Sequence, residues 1–528
     1  MGSAPRPNLP SEGSDPRHIA ELLCALSYGS GLAVAERMEH GTNTAFVGVQ
    51  LGRALGFERD DLEAVFYGVL IKDVGCGACS AVLAPLLTND EPSPRLGLVL
   101  VDVLHPDSLE TSATGQTSHH DPALSSRLAR LAALASRCSS VAHEAMTAHC
   151  EIASDFAATL GFGRNVQDAV HYQYERYDRR GPSEQRVDGI HRPAQVMHLA
   201  LAVEIARSLF GAGGAAAMVR QRMGSYFDPE VAEAYLDLAE GLWPPDYEPI
   251  PLADVLSCDP GTSAEDLSGD RRSAVCEAMG DFADLKSARR GRHSHEVARL
   301  AVEIAGRLGL SQFEQDRLYR AGLVHDLGKV AVPYRLLEQV GDDTSVPTHP
   351  AGEAGFAEPV RLHPYYAQRI LSRVRPFADL AAEVGAHHER IDGSGYPFGL
   401  GGEAVPIGAR ILGVADTSAE RAGNDPQDLS SESGLDPECL AALGSGVKPG
   451  SGSTRPSFGA TPGRPVLSSR ELQVLRLLAA GASNPDIGKN LYISRRTVEH
   501  HVEHILRKLG VSSRTAAVAY ALTHGLLN

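Results

Sequence analysis

Two distant stretches of the chain align without a gap: EHGTNTAFVGVQLGRALGF around His40 and RHSHEVARLAVEIAGRLGL around His293. An internal repeat constrains architecture before any single element is assigned, because both copies must form units of one design. The register persists downstream. His40 and Lys72 are 32 residues apart, as are His293 and His325; His149 and Glu175 are 26 apart, as are His363 and Glu389. IKDVG therefore stands where HDLGK stands, YQYERYDRRGP where HHERIDGSGYP stands, and HRPAQVMHLAL where PIGARILGVAD stands.

Both copies read as helical. Val297, Leu300, Ala301, Ile304 and Leu308 recur at spacings of three and four, one face of an amphipathic helix. Alternating β-branched runs are few, and Gly161 and Gly309 stand where helices stop. The expected fold class is all-α. Two breaks divide the 528 residues. WPPDYEPIPLADVLSCDPGTSAEDLSGD, from Trp243, is rich in Pro and Asp and lacks helical periodicity; GSGVKPGSGSTRPSFGATPGRP, from Gly444, has the composition of a flexible linker. The expected order is a disordered leader (1–15), a first helical unit (16–242), a linker (243–270), a second unit (271–443), a flexible linker (444–463) and a C-terminal block (464–528).

The second unit carries a run of potential metal ligands: His293, His325, Asp326, His363, His387, His388 and Asp416. Imidazole and carboxylate together suit Fe, Mn or Zn, and two divalent ions about 3.5–4 Å apart need roughly this many donors. The texts RHSHEVARLA, HDLGK, RLHPYYAQRIL, HHERIDGSGYP and ARILGVAD resemble the HD-GYP branch of the HD phosphohydrolases, in order, over about residues 275–420. The resemblance implies a dinuclear site with those seven ligands. It also implies Asp326 and Lys329 as catalytic residues, with Lys329 neutralising charge on a phosphate, and cyclic di-GMP as the type of substrate.

Departures from that pattern matter. EQVGDDTSVPTHPAGEAGFAEPV is longer than the corresponding family segment and unlike it, and NDPQDLSSESGLDPE is acidic where the family is basic. Arg289, four residues before His293, argues for two metals rather than three. The first unit resembles a second HD-type domain with a broken ligand set. Lys72, Gln173 and Tyr174 replace histidines, Leu201 or Ala202 replaces the terminal Asp, and only His40, Asp73 and His149 survive. It is expected to bind no metal. Cys76 and Cys79 form a lone CxxC and read as structural; His119 and His120 read as a solvated loop pair.

The C-terminal block, LSSRELQVLRLLAAGASNPDIGKNLYISRRTVEHHVEHILRKLGVSSRTAAVAYALTHGLL, resembles the LuxR-type (GerE-like) helix-turn-helix along its length. It parses into four helices. Ser468 or Ser469 caps the first, Asn484-Pro485 opens the second, Ser494 caps the third from Arg495 to Leu509, and Ser512 or Ser513 opens the last. The third helix is the expected reader of the major groove. Its outer face carries Arg495, Arg496, Thr497, His500, His501 and His504, with Lys508 and Arg514 suited to phosphates. Charge agrees. Residues 464–528 hold nine Lys/Arg and four Asp/Glu, a basic module on a chain whose net charge is −17.

No run of about 18 uncharged apolar residues suggests a membrane span, and scattered cysteines point to a reducing cytoplasm. The chain reads as a transcriptional regulator that binds double-stranded DNA as a homodimer. Its second unit senses or hydrolyses a cyclic dinucleotide. The alternative is an active phosphodiesterase of the cyclic-di-GMP type whose DNA-binding tail localises it.

Overall fold

The computed structural model describes residues 17–33, 38–75, 146–182, 191–243, 249–261, 271–285, 292–332, 360–420, 434–444, 467–479, 484–491, 493–511 and 514–523, with a few single positions between them. The leader, the CxxC pair, His119-His120, the 338–359 stretch, most of NDPQDLSSESGLDPE and the 445–463 linker lie outside the described residues. Helices account for the fold, and the described residues contain no strand beyond one isolated bridge between Met223 and Phe227.

The first unit runs α1 (Arg17–Ala33), α2 (His40–Ala54), α3 (Arg59–Ile71), a 3₁₀ turn (Lys72–Gly75), a helical segment at 146–159, α4 (Arg164–His171), α5 (Arg192–Arg222) and α6 (Pro229–Leu238). The second runs α8 (Arg271–Leu285), α9 (His293–Arg307), α10 (Gln312–Val324), a 3₁₀ turn (Leu327–Ala331), α11 (His363–Ser372), α12 (Ala381–Gly385), α13 (Ile407–Glu420) and α14 (Pro437–Gly444). The repeat is visible in backbone detail. Gly56 (φ 71°) and Gly309 (φ 77°) close α2 and α9 in the left-handed region. The next amide in each case, Phe57 or Leu310, donates back to Gly52 or Ala305 at 2.9 and 3.0 Å. Those bonds satisfy carbonyls that a helix end otherwise orphans.

Residues 243–270 do not behave wholly as a linker. A six-residue helix, α7 (Leu252–Ser257), docks on the first unit, with Val255 and Cys258 buried. Ile250 N–H donates to Asn43 Oδ1 at 3.1 Å, and Tyr67 Oη–H to Asp259 Oδ1 at 2.8 Å. Six residues are under two turns, too short for an apolar period to register in the sequence.

Between the two units lies α1. Ile19 to Tyr28 are buried almost without interruption, the pattern of a helix covered on every side. Gly29 packs towards Leu327 and Ile370 of the second unit, and Arg373 reaches Glu39 at 2.6 Å. One apolar core therefore runs through both units. Helix α5 is long and apolar enough to span a membrane by length and composition. Its Pro193–Ala206 stretch is instead the buried helix of the first unit, and Gly211 (φ 75°) interrupts it.

The C-terminal block has its own core of Val474, Leu475, Ile487, Val498, Ile505 and Ala517. It consists of α15 (Ser469–Ala479), α16 (Asn484–Leu491), α17 (Arg495–Leu509) and α18 (Arg514–Thr523). Ser468 caps α15: its Oγ accepts from Glu471 N–H at 3.3 Å while Glu471 accepts from Ser468 N–H at 2.6 Å.

Candidate metal centre and nucleic-acid interface

All seven candidate ligands of the second unit are buried and converge. His293 opens α9, whose first turn is held by Asp284 of α8, an acceptor for Ser294 N–H (3.1 Å) and Ser294 Oγ–H (2.8 Å). Burial pushes Asp284 up to about 6, against the pull of His293 and Ser294. His325 and Asp326 lie at the junction of α10 and its 3₁₀ turn. Gly328 permits this junction to touch α11, since a Cβ there would collide with the His363 carbonyl. His363 begins α11, His387 and His388 follow α12, and Asp416 projects from α13.

Three of the histidines are aimed in one way. Nδ1–H of His325, His363 and His387 donates to the carbonyl three residues earlier, Gly322 (2.7 Å), Val360 (2.7 Å) and Val384 (2.6 Å). That bond fixes the tautomer and leaves Nε2 as a lone-pair donor into the cluster. Asp326 is the shared member. Its Oδ1 lies 3.2 Å from His363 Nε2, and its Oδ2 lies 3.3 Å from His325 Nε2 and 3.6 Å from His293 Nε2. Asp416 Oδ1 lies 3.0 Å from His293 Nε2 and 3.5 Å from His325 Nε2, and its Oδ2 lies 3.8 Å from His388 Nε2.

The donors fit divalent metal. His363 Nε2 and His387 Nε2 face each other at 3.3 Å with both Nδ1 protons already committed. Two facing lone pairs repel unless a cation lies near both. His325 Nε2, Asp326 Oδ1 and both ring nitrogens of His388 are buried without a hydrogen bond, which costs free energy unless another partner is supplied. The electrostatics agree. Burial, then the charge on His325, takes His387 down to about 3, and burial with His387 holds His388 well below its usual range. His325 goes the other way: burial opposes its charge, but Asp326 and Asp416 outweigh it and push that ring up to about 10, so a metal bound there would have to displace the Nε2 proton. Burial likewise opposes the Asp326 carboxylate; His325 and Lys329 outweigh it and hold Asp326 well below the normal range.

Lys329 Nζ stands 2.6 Å from Asp326 Oδ2, so the two catalytic candidates are an ion pair. Tyr396 stacks on His388, with centroids 4.7 Å apart and planes at 22°. Glu389 is no ligand. It accepts from Phe398 N–H (2.6 Å) and Leu400 N–H (2.8 Å) and so closes the Gly-rich turn. Sequence reasoning missed Glu389 and Asp284; an acidic residue adjacent to a ligand motif was the available signal for Glu389, whereas Asp284 sits at the end of the preceding helix, nine residues before His293.

In the first unit the same positions come together with different chemistry. Lys72 is buried and its Nζ lies 2.5 Å from Asp73 Oδ2. His40 Nδ1 pairs with a Glu204 oxygen, and Asn43 also donates to Glu204, at 3.4 Å. Leu201 and Ala202 are core residues of α5; the carboxylate that meets His40 is Glu204, two to three residues later on the same helix. Burial works against charge on Glu204, but His40 outweighs it and holds that carboxyl below its usual range. Among the described residues, the clusters of three or more donors all lie in the second unit.

On α17, Ser494 Oγ accepts from Thr497 N–H at 3.1 Å, and Gly510 (φ 72°) ends the helix. Arg495, Arg496, Thr497 and His500 are exposed, and His501 and His504 are half-buried. Arg495 pairs with Glu499 at 2.7 Å, and the His500 and His504 rings are 4.1 Å apart. Lys508 differs from expectation. Its Nζ lies 2.7 Å from buried Glu471 Oε2, so it ties α17 to the capped start of α15 instead of extending towards a phosphate. Arg514 opens α18.

Comparison with known proteins matches residues 277–426 to the HD domain and residues 465–521 to the luxR family of bacterial regulatory proteins. A 3'3'-cGAMP-specific phosphodiesterase 3 of Vibrio cholerae is 26% identical over 448 residues, 80% of this chain and 94% of that protein. A cyclic di-GMP phosphodiesterase of Thermotoga maritima is 34% identical over 145 residues, 27% of this chain and 37% of its own. A probable transcriptional regulatory protein NarL of Mycobacterium tuberculosis is 49% identical over 69 residues, 13% of this chain and 32% of its own. The crystal structure of a cyclic GMP-AMP-specific phosphodiesterase of V. cholerae superposes with a TM-score of 0.52 at 22% identity. It covers 80% of this chain and 96% of that one, so the fold is shared across both helical units. The chain therefore carries an HD domain and, C-terminal to it, a domain of the luxR family of bacterial regulatory proteins.

Proposed function

We propose that this protein is a cytoplasmic, DNA-binding transcriptional regulator whose second unit holds two divalent transition-metal ions and takes a cyclic dinucleotide as ligand and substrate. The observation that carries the reading is the seven-donor cluster with Asp326 at its centre. His293, His325, Asp326 and Asp416 would hold one ion; Asp326, His363, His387 and His388 would hold the other. Bound there, the ions would supply Lewis acidity at phosphorus and make water acidic enough to attack near neutral pH. The chain's own residues do the rest. The three Nδ1–H bonds to carbonyls keep the ligand rings oriented, and Asp326 and Lys329 keep opposite charges beside the reacting phosphate. Burial of the cluster excludes bulk water, which strengthens every one of these interactions.

The exposed face of α17, with Arg495, Arg496, Thr497, His500, His501 and His504, is proposed to enter the major groove of double-stranded DNA. A homodimer would present two such helices to two half-sites. Full-length protein tests both parts. Elemental analysis should find about two transition-metal ions per chain, and the loaded protein should linearise cyclic di-GMP or 3'3'-cGAMP. In a mobility-shift titration, DNA affinity should fall steeply with salt, and Arg496→Ala should reduce specific more than non-specific binding. Metal-loaded protein that binds neither dinucleotide nor DNA would defeat the reading.

A further inference from the structure

An anionic dinucleotide needs a cation besides the metals, and among the described residues this site is short of free ones. Lys329 is committed to Asp326. Arg390 lies under the Gly-rich turn and donates to the Glu389 carbonyl at 3.2 Å. The carboxylates of Asp326 and Asp416 add negative potential. Neither Arg390 nor Arg361 makes an ion pair among the described residues, and of the two Arg361 is the exposed one.

Its position is set by the site. Val360, the residue before it, accepts Nδ1–H of the ligand His363, so the turn that aims His363 also fixes the backbone of Arg361. The Arg361 guanidinium lies over the Tyr396 ring, 4.9 Å from its centroid, and Tyr396 stacks on His388. Tyr396 thus joins an exposed cation to the ligand cluster, with the Arg361 guanidinium over its ring and the His388 ring stacked on it. An aromatic face holds a guanidinium without neutralising it, leaving its N–H edge available to an oxyanion.

We propose that Arg361 is a ligand-binding residue of the dinuclear site, and that it pairs with the cyclic dinucleotide phosphate that is not being cleaved. The assignment rests on the cyclic-dinucleotide reading above and adds a specific residue to it. A charge-assisted contact of this kind makes the arginine matter for binding and not for metal retention.

The test uses metal-loaded full-length protein, with cyclic di-GMP and 3'3'-cGAMP as probes. Dissociation constants are taken by calorimetry over a range of NaCl, and metal content is measured on the same samples. Arg361→Ala should weaken binding about tenfold or more while keeping the metal content of the parent. Arg361→Lys, which keeps the charge but loses the planar fork held on Tyr396, should lose less affinity than Arg361→Ala does. The salt dependence of binding should be shallower in Arg361→Ala. Unchanged affinity in Arg361→Ala, equal losses in both variants, or loss of metal would each overturn the assignment. Binding without cleavage would defeat the proposed hydrolysis and leave Arg361 to be judged on affinity alone. A parent protein that binds neither dinucleotide defeats both.

Discussion

The two helical units share a skeleton and differ at its centre. In both, a glycine of the 3₁₀ turn lets that turn press on the next histidine-bearing segment: Gly75 against the His149 carbonyl, Gly328 against the His363 carbonyl. Both also keep a left-handed residue in the later turn, Arg179 (φ 62°) and Gly393 (φ 80°). What differs is the source of positive charge. The second unit gathers five histidines around two aspartates, a set that calls for metal. The first unit supplies a cation covalently, as Lys72 beside Asp73, with His40 facing Glu204. The Lys72 ammonium stands at the position where the second unit places the His325 imidazole, and the first unit is expected to need no metal. The lesson is that one helical skeleton can carry two different buried polar centres, provided the buried charge is balanced in each.

That comparison can be attacked in order of expected effect. Gly328→Ala should be the most damaging change. The new methyl meets backbone, not a flexible side chain, so the 3₁₀ turn must separate from α11 and the second unit should lose its metal. Gly75→Ala should destabilise the first unit comparably but leave metal content intact. Calorimetric unfolding together with elemental analysis separates the two outcomes, and equal metal loss in both would erase the distinction between the units.

Next comes the internal cation. Lys72→Met leaves Asp73 buried without its partner and should cost about 3–5 kcal/mol, as for other broken buried pairs. The parallel Lys329→Met in metal-loaded protein should cost less stability, because the ions still balance Asp326, and should reduce turnover instead. Denaturant titrations of the two variants compare them directly.

Acid should act on the first unit through His198. Burial takes this ring down to about 4 in the folded chain, and the charges of Arg222 and Arg176 lower it further against the Glu175 carbonyl. Its unfolded value is about 6.5. Between those values the unfolded chain binds the extra proton, so stability is fully present above about 6.5 and is lost as pH falls towards 4. His198→Phe should flatten that part of the stability-versus-pH curve. An unaltered slope would assign the acid sensitivity elsewhere.

The smallest expected effects lie outside both units. Ser494→Ala should cost about 1 kcal/mol by uncapping α17. Lys508→Ala should lower the thermal stability of the C-terminal domain more than its DNA affinity, because Lys508 is paired with Glu471.

Much of this was legible in the sequence, for identifiable reasons. Candidate ligands such as His293 and Asp416 converge because spacing survives in a helical repeat, and α17 from Arg495 to Leu509 follows from Ser494 and Gly510 at its ends. What was not legible depends on tertiary approach. Glu204 replaces the missing carboxylate from a position displaced along α5, which alignment by register assigns to Leu201 or Ala202. Lys508 reads by pattern as a phosphate contact, and the structure adds a pairing with Glu471 that the pattern does not announce. Helix α7 is too short to announce itself, and the role of α1 between the units is invisible without the partner surface that buries it.

The central claim is that one unit holds metal and the other has replaced it. Elemental analysis of the purified full-length protein and three variants tests it most directly. About two ions per chain should be found in the parent, in Lys72→Met and in His40→Ala. Asp326→Ala, which removes the shared carboxylate, should retain essentially none. Metal that survives Asp326→Ala but disappears in His40→Ala would contradict the account, because it would place the centre in the first unit.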